Sequence, residues 1–140
     1  MKSTLLALLL IGHAHGAEPQ IDSILSAIVA VETGCVRTGT GEVSGKWSIG
    51  EAGEVSPFQL HPRVLQDLGV AHKSGRIHRN PVYAESIARL WLGRLHHRFG
   101  NWPDAVAAWN GGAYGMRGRS AQDYSVRVMA LAETYEKGNP

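Results

Sequence analysis

Four side chains in this sequence have the chemistry to act on a bound molecule: Glu32, Gln59, Asn110 and Tyr124. Glu32 comes first because its position is anomalous. Ile21, Ile24, Leu25, Ile28 and Val29 recur at the spacing of one helix face. Glu32 falls on the same face at its C-terminal end, four residues after Ile28, where the pattern calls for a hydrophobe. Burial disfavours a charged carboxylate, and the negative end of a helix dipole acts in the same direction. A carboxyl group treated in this way holds its proton near neutral pH, as a general acid must. Periodicity alone also describes a simpler case, a helix-end glutamate turned to water.

The other three are ambiguous one by one. Gln59 sits between Phe58 and Leu60 in the stretch "GEAGEVSPFQLHP", residues 50–62, which has neither helix nor strand period. Its amide offers a donor and an acceptor, for the hydroxyls or acetamido group of a sugar or for loop backbone. Asn110, in "WNGG", precedes glycines that either admit a ligand to the backbone or end a helix. Tyr124 lies on an apolar stripe with Val128, Leu131 and Tyr135. A buried phenol needs a partner for its hydroxyl, and a buried carboxylate such as Glu32 would serve. Packing as a core aromatic that reaches water is the alternative.

The remaining reactive residues promise less. Glu42, Glu51 and Glu54 fall in a segment rich in Gly and Ser, where carboxylates are expected to face solvent. His61, His72, His78, His96 and His97 form no H-x-x-x-H pair and have no cysteine cluster, so they are read as surface or boundary residues. No metal or other cofactor is expected. The single cysteine, Cys35, has no internal disulfide partner and no histidine nearby in sequence to activate it.

Several elements must position these groups. A first helix is expected over residues 21–33, stopped by Gly34. Two short strands or an irregular hairpin would follow, around Glu42 to Trp47. Ser56-Pro57 and His61-Pro62 both read as a helix cap followed by proline in the first turn. Residues 70–80, polar and basic, read as a loop. Asn80-Pro81 opens a long helix closed by Gly100, with apolar residues spread widely enough to suggest a central, buried helix. A short helix spans Pro103 to about Trp109 and breaks at Asn110-Gly111-Gly112. A last helix starts near Ser120, which approximates a capping box with Asp123. The fold class is therefore mainly α, with five or six helices and a small β excursion after the first.

Length and charge narrow the range of functions. The 140 residues, 44% of them hydrophobic, suit one compact domain. Residues 1–16 have the pattern of an export signal: Lys2, the apolar run Leu5–Ile11, then small residues at Ala14-His15-Gly16. The run is too short for a permanent membrane anchor. Residues 17–140 would then be the mature domain. Without Lys2, the 14 basic residues become 13 against 12 acidic, too few to favour a nucleic-acid partner.

In their order, four motifs resemble the catalytic domain of soluble lytic transglycosylases, in the goose-type-lysozyme-like superfamily. "AVETG" resembles the helix that ends in that family's catalytic Glu. "GEVSPFQLHP" is similar to its G-A-x-G-L-M-Q-hydrophobic-x-P turn at Gly53, Gln59, Leu60 and Pro62. "AAWNGG" resembles A-x-Y-N-A-G, and "YSVRV" its tyrosine-bearing helix. The likeness runs over about residues 21–131. Glu54, Ser56, Pro57-Phe58 and Trp109 depart from the pattern, and the stretch between Glu32 and Gln59 is longer than in the commonest members.

The resemblance implies a lysozyme-like fold and peptidoglycan as substrate. It implies Glu32 and Tyr124 as catalytic residues, with Ser56, Phe58, Gln59, Trp109 and Asn110 at the sugar. The expected product is a 1,6-anhydro sugar, and the expected place of work is periplasmic or secreted. Partners would be glycan strands and, by likeness to compact exported members, a secretion, conjugation or phage-lysis apparatus. Two alternatives stand beside it: a hydrolytic muramidase with Glu51 as second carboxylate, and a peptidoglycan-binding protein without catalysis.

Overall fold

The computed structural model describes residues 19–39 and 41–138; the expected export segment, residues 1–16, lies outside them. Among the described residues the protein is mainly helical, with six α-helices and one two-stranded hairpin after the first helix. No helix there is long and apolar enough to cross a membrane.

Helix α1 spans Ile21–Thr33, the range its periodicity predicts. Ile24, Leu25, Ala27, Ile28 and Val29 are buried. Gly34, at φ 70°, donates its N–H to Ala30 O and ends the helix. Thr33 fastens the same end: its hydroxyl donates to Val29 O and accepts from Cys35 N–H. The backbone around Glu32 is thus closed on both sides of the helix end.

Strands β1 (Val36–Arg37) and β2 (Val43–Ser44) pair antiparallel, Val36 opposite Ser44 and Arg37 opposite Val43. Cys35, just before them, is a buried free thiol that donates to Lys46 O. The hairpin is tied down by charge. The Arg37 guanidinium, only 6% exposed, pairs with Asp22 in the first turn of α1 at 3.0 Å and with Glu85 at 2.7 Å. Arg89 pairs with the same two carboxylates. Both Asp22 and Glu85 are held below their usual carboxyl range, first by a hydrogen bond from arginine, Arg89 and Arg37 respectively.

Helices α2 (Pro62–Asp67) and α3 (Ser74–Arg79) are short, joined through a 3-10 turn at Ala71–Lys73. The expected loop over 70–80 is therefore mostly helical. Buried Ile77 anchors α3, and His78 serves two segments at once. Its backbone carbonyl accepts from the Trp47 indole, and its Nδ1 accepts from Ser56 N–H.

Helix α4 runs Pro81–Phe99, with the expected Asn80 cap and Gly100 stop. It is not buried all round. Ala84, Ile87, Ala88, Leu92 and Leu95 form one broad inward face, while Val82 and Leu90 are half exposed. The spread of apolar residues reflects the width of that face. Helix α5 spans Trp102–Gly115 and continues through Asn110; the break falls at Gly112, φ 71° and ψ 174°. Helix α6, Arg119–Glu136, begins at Gly118 with no side-chain cap. Ser120 lies inside the helix, so the expected Ser120–Asp123 capping box is not formed.

The core is one cluster shared by the helices. Helix α6 packs against both α1 and α5, and α5 packs in turn on α4. That arrangement sets the buried face of α6, with Tyr124 and Val128, against the end of α1.

Replacing Arg37 with Ala should cost about 3 kcal/mol, since it strips a partner from a largely buried carboxylate. Urea denaturation checks this; a loss no larger than that of an exposed ion pair would show that Arg89 alone compensates.

Candidate active site

The Glu32 carboxyl lies at the junction of α1, α6 and the segment 50–61. The Tyr124 hydroxyl donates to Glu32 Oε1 at 2.7 Å. Tyr124 is 3% exposed, and α1–α6 packing brings it there across 92 residues of chain. Ser125, next to it, donates its hydroxyl to Pro103 O and fixes α6 against the start of α5.

Burial pushes the Glu32 carboxyl above its ordinary value. The Tyr124 hydrogen bond opposes this; the Glu54 charge adds to it, and Arg127 opposes it weakly. The balance favours the protonated acid more than an exposed glutamate would. Tyr124 itself is pushed well above an ordinary phenol, by burial first and then by the Glu32 charge and the hydrogen bond they share. It therefore remains a donor, holding Oε1 and leaving Oε2 of Glu32 as the oxygen for a proton.

Glu32 opens on a groove of about 250 Å³, lined also by Gly50, Glu51, Glu54, Gln59, His61, Trp109 and Asn110. Four expected site residues, Gln59, Trp109, Asn110 and Glu51, are thus brought together with Glu32. Trp109 and Asn110 come from α5 before its break; the others come from the segment 50–61. Glu42, on the exposed hairpin, is not among them.

Ser56 and Phe58 are corrections. Both are fully buried, at 0% exposure, and neither lines the groove. The expected helix start at Ser56 is also absent. Val55 and Leu60 instead bond to each other reciprocally, closing residues 55–60 into a tight loop. Ser56 sits at φ 71°, and its hydroxyl accepts from Phe58 N–H within the loop. The loop inserts Phe58 and Leu60 into the core and turns Gln59 outward. The stretch 50–62 is therefore groove wall on one side and core on the other.

Gln59 adopts φ 51°, a strained conformation for a residue with a side chain. Its Nε2 donates to Ser48 O at 3.0 Å and to Ser56 O at 2.9 Å. Two carbonyl acceptors fix which end of the amide is nitrogen. Both hydrogens are thereby used on the loop, and only Oε1 is left for a ligand. Gln59 is structural and ligand-facing at once.

The two groove carboxylates differ. Glu51 is exposed, whereas Glu54 is half-buried and accepts from Ala52 N–H at 3.0 Å. Glu54, not Glu51, is the carboxylate whose charge acts on Glu32. Gly50 makes room for this arrangement. A Cβ there would lie 2.2 Å from Glu54 Oε2 and 2.8 Å from Gln59 Oε1. Glu54, expected to face solvent, and His61, expected at the surface or a boundary, are the groove residues that the sequence did not single out. For His61 the available signal was the His61-Pro62 helix start, which fixes the ring close to Gln59.

Comparison with protein-family models, with curated proteins and with solved structures gives no match. The site therefore stands on its own geometry.

Two substitutions should move the Glu32 titration in opposite directions. Tyr124→Phe deletes a bond that lowers the Glu32 pKa, so the pKa should rise. Glu54→Gln deletes a charge that raises it, so the pKa should fall. Carbon-13 NMR titration of the Glu32 side chain reads both; shifts of the same sign would contradict this electrostatic balance. Gly50→Ala should lower the thermal melt although the backbone there is not in the left-handed region, since the added methyl would push Glu54 and Gln59 off the hydrogen bonds that hold them. The displacement should be visible as altered side-chain amide and carboxyl NMR shifts; an unchanged melt with unchanged shifts would show that the two side chains are not fixed.

Proposed function

We propose that the protein is an exported peptidoglycan lytic transglycosylase, cleaving the β-1,4 bond between N-acetylmuramic acid and N-acetylglucosamine. The observation that carries this reading is one protonation-prone carboxyl, Glu32, held by a buried tyrosine at the base of a polar groove. The order of the four sequence motifs supports the same reading. Residues 1–16 would direct export to the periplasm or the medium, where glycan strands are the partner. A secretion, conjugation or phage-lysis apparatus would be the setting.

The chemistry follows from one acid. Glu32 Oε2 gives its proton to the glycosidic oxygen, and the bond from that oxygen to the muramic acid anomeric carbon breaks. The 2-acetamido group of the same sugar steadies the positive charge that develops there. The Tyr124 hydroxyl meanwhile stabilises the new carboxylate through Oε1. The carboxylate then takes the proton of the muramic acid 6-hydroxyl, whose oxygen closes on the anomeric carbon. Glu32 ends protonated, and no water is consumed. The attack is intramolecular, so it gains the high effective concentration of a tethered group. Burial of Glu32 extends the protonated form to higher pH and so supports the first step.

Hydrolysis is the second reading, and the fixed carboxylate of Glu54 favours it over a solvent-facing second acid. A water held between Glu54 and the anomeric carbon would replace the 6-hydroxyl. In that case Glu54 takes the role first assigned to Glu51.

Glu32→Gln should abolish muropeptide release from purified peptidoglycan, because an amide has no acidic proton to give. It should not lower stability at neutral pH. A raised folded-state pKa means that folding takes up protons, so the native Glu32 lowers stability as pH rises through that value. The glutamine variant escapes this loss, and its advantage should grow from acid toward neutral pH in thermal melts. Digestion in oxygen-18 water separates the two reactions. Unlabelled anhydro-muramic termini are expected; labelled reducing termini would establish hydrolysis.

A further inference from the structure

His61 was read from the sequence as a boundary residue, yet the fold sets it on the groove beside Gln59. Its ring serves the start of α2: Nδ1 accepts from Arg63 N–H at 3.1 Å. A nitrogen that accepts carries no hydrogen, so the ring hydrogen is on Nε2. The helix cap therefore fixes the tautomer, and the remaining polar atom of His61 is a donor. Gln59 is fixed in the opposite sense. Its two hydrogens are spent on Ser48 O and Ser56 O, so its remaining atom is an acceptor.

The two stand on either side of Leu60, which is buried at 1% exposure and bonded to Val55. With Leu60 turned inward, its neighbours both reach the groove. Leu60 is extended in its bridge to Val55, so the Cα atoms of Gln59 and His61 lie roughly 7 Å apart. A secondary amide points its N–H and its C=O in opposite directions, and with a hydrogen bond of roughly 2.9 Å at each end its two partners lie about 6–8 Å apart, a span within reach of two side chains so rooted. A hydroxyl donates and accepts at one atom, so it would need the two groove atoms much closer together.

We propose that Gln59 Oε1 and His61 Nε2–H form a paired subsite that reads one secondary amide, Gln59 accepting its N–H and His61 donating to its carbonyl. The assignment rests on the glycan reading above, in which each sugar carries an acetamido group and the peptide stem carries further amides. His61 is here a binding residue for the amide, with no part in the proton transfer.

The test uses the full chain with Glu32→Gln to prevent turnover, with and without His61→Ser. Serine is a good helix cap and keeps the start of α2, but cannot reach into the groove as the imidazole does. Binding is measured by NMR titration against three probes: an N-acetylglucosamine tetramer, its fully de-N-acetylated counterpart, and a free stem peptide. His61→Ser should weaken the acetylated tetramer about tenfold and leave the de-N-acetylated one unchanged, which places the amide on the sugar. A tenfold loss confined to the stem peptide supports the amide subsite and places the amide on the peptide. Equal effects on all probes, or none, overturn the subsite while leaving the glycan reading intact. Binding of no probe by the His61 protein overturns both.

Discussion

A carboxyl group at the end of a buried helix face must find a hydrogen bond or face water, and the rest of this structure depends on how Glu32 does the former. The partner, Tyr124, is remote in sequence. It reaches Glu32 only because α6 packs along α1 and is held to α5 through Ser125 and Pro103. The bond also decides which oxygen is free. With Oε1 engaged, the proton of Glu32 belongs on Oε2. Burial and the Glu54 charge keep that proton on, while Tyr124 eases its departure. The site thus combines an acid that is reluctant to ionise with a donor that limits the reluctance.

The opposite wall is built by backbone economy. Between Gly50 and His61 the chain makes one small loop, closed by the Val55–Leu60 bridge and anchored from outside by His78. Val55, Phe58 and Leu60 enter the core, and two of its polar side chains are used twice. Gln59 binds the carbonyls of Ser48 and Ser56 and keeps its oxygen for the groove; His61 caps a helix and keeps its N–H. Such double duty gives each side chain one hydrogen-bonding sense, donor or acceptor, which a mobile amide or imidazole lacks.

Much of the fold was legible because periodicity and stop residues agreed. Helix α1 and its Gly34 stop, and α4 between Asn80 and Gly100, follow from apolar spacing and end signals alone. Helix α3 was missed because "SGRIHR" has one apolar residue, Ile77; its stability comes from burying that residue and from tertiary contacts. The missing Ser120 cap reflects a helix whose N-cap lies two residues earlier, at Gly118, a boundary no side chain marks. In the site, Glu32, Gln59, Trp109 and Asn110 were recoverable from residue type and motif order. Ser56 and Phe58 were not separable from Gln59, because only the loop conformation tells which neighbours turn inward. The same holds for the choice between Glu51 and Glu54, three residues apart in a segment without period.

The loop that carries Gln59 also has an evolutionary consequence. Ser56 and Gln59 both hold left-handed backbone angles that glycine or asparagine would adopt more readily, at a strain on the order of 1–3 kcal/mol each. A lineage selected only for heat resistance could relax that strain with glycine, but glycine at position 59 would release the carbonyls of Ser48 and Ser56, and glycine at position 56 would remove the acceptor of Phe58 N–H. The loop thus sets strain against closure at the same two residues, and a change that eased one would loosen the other.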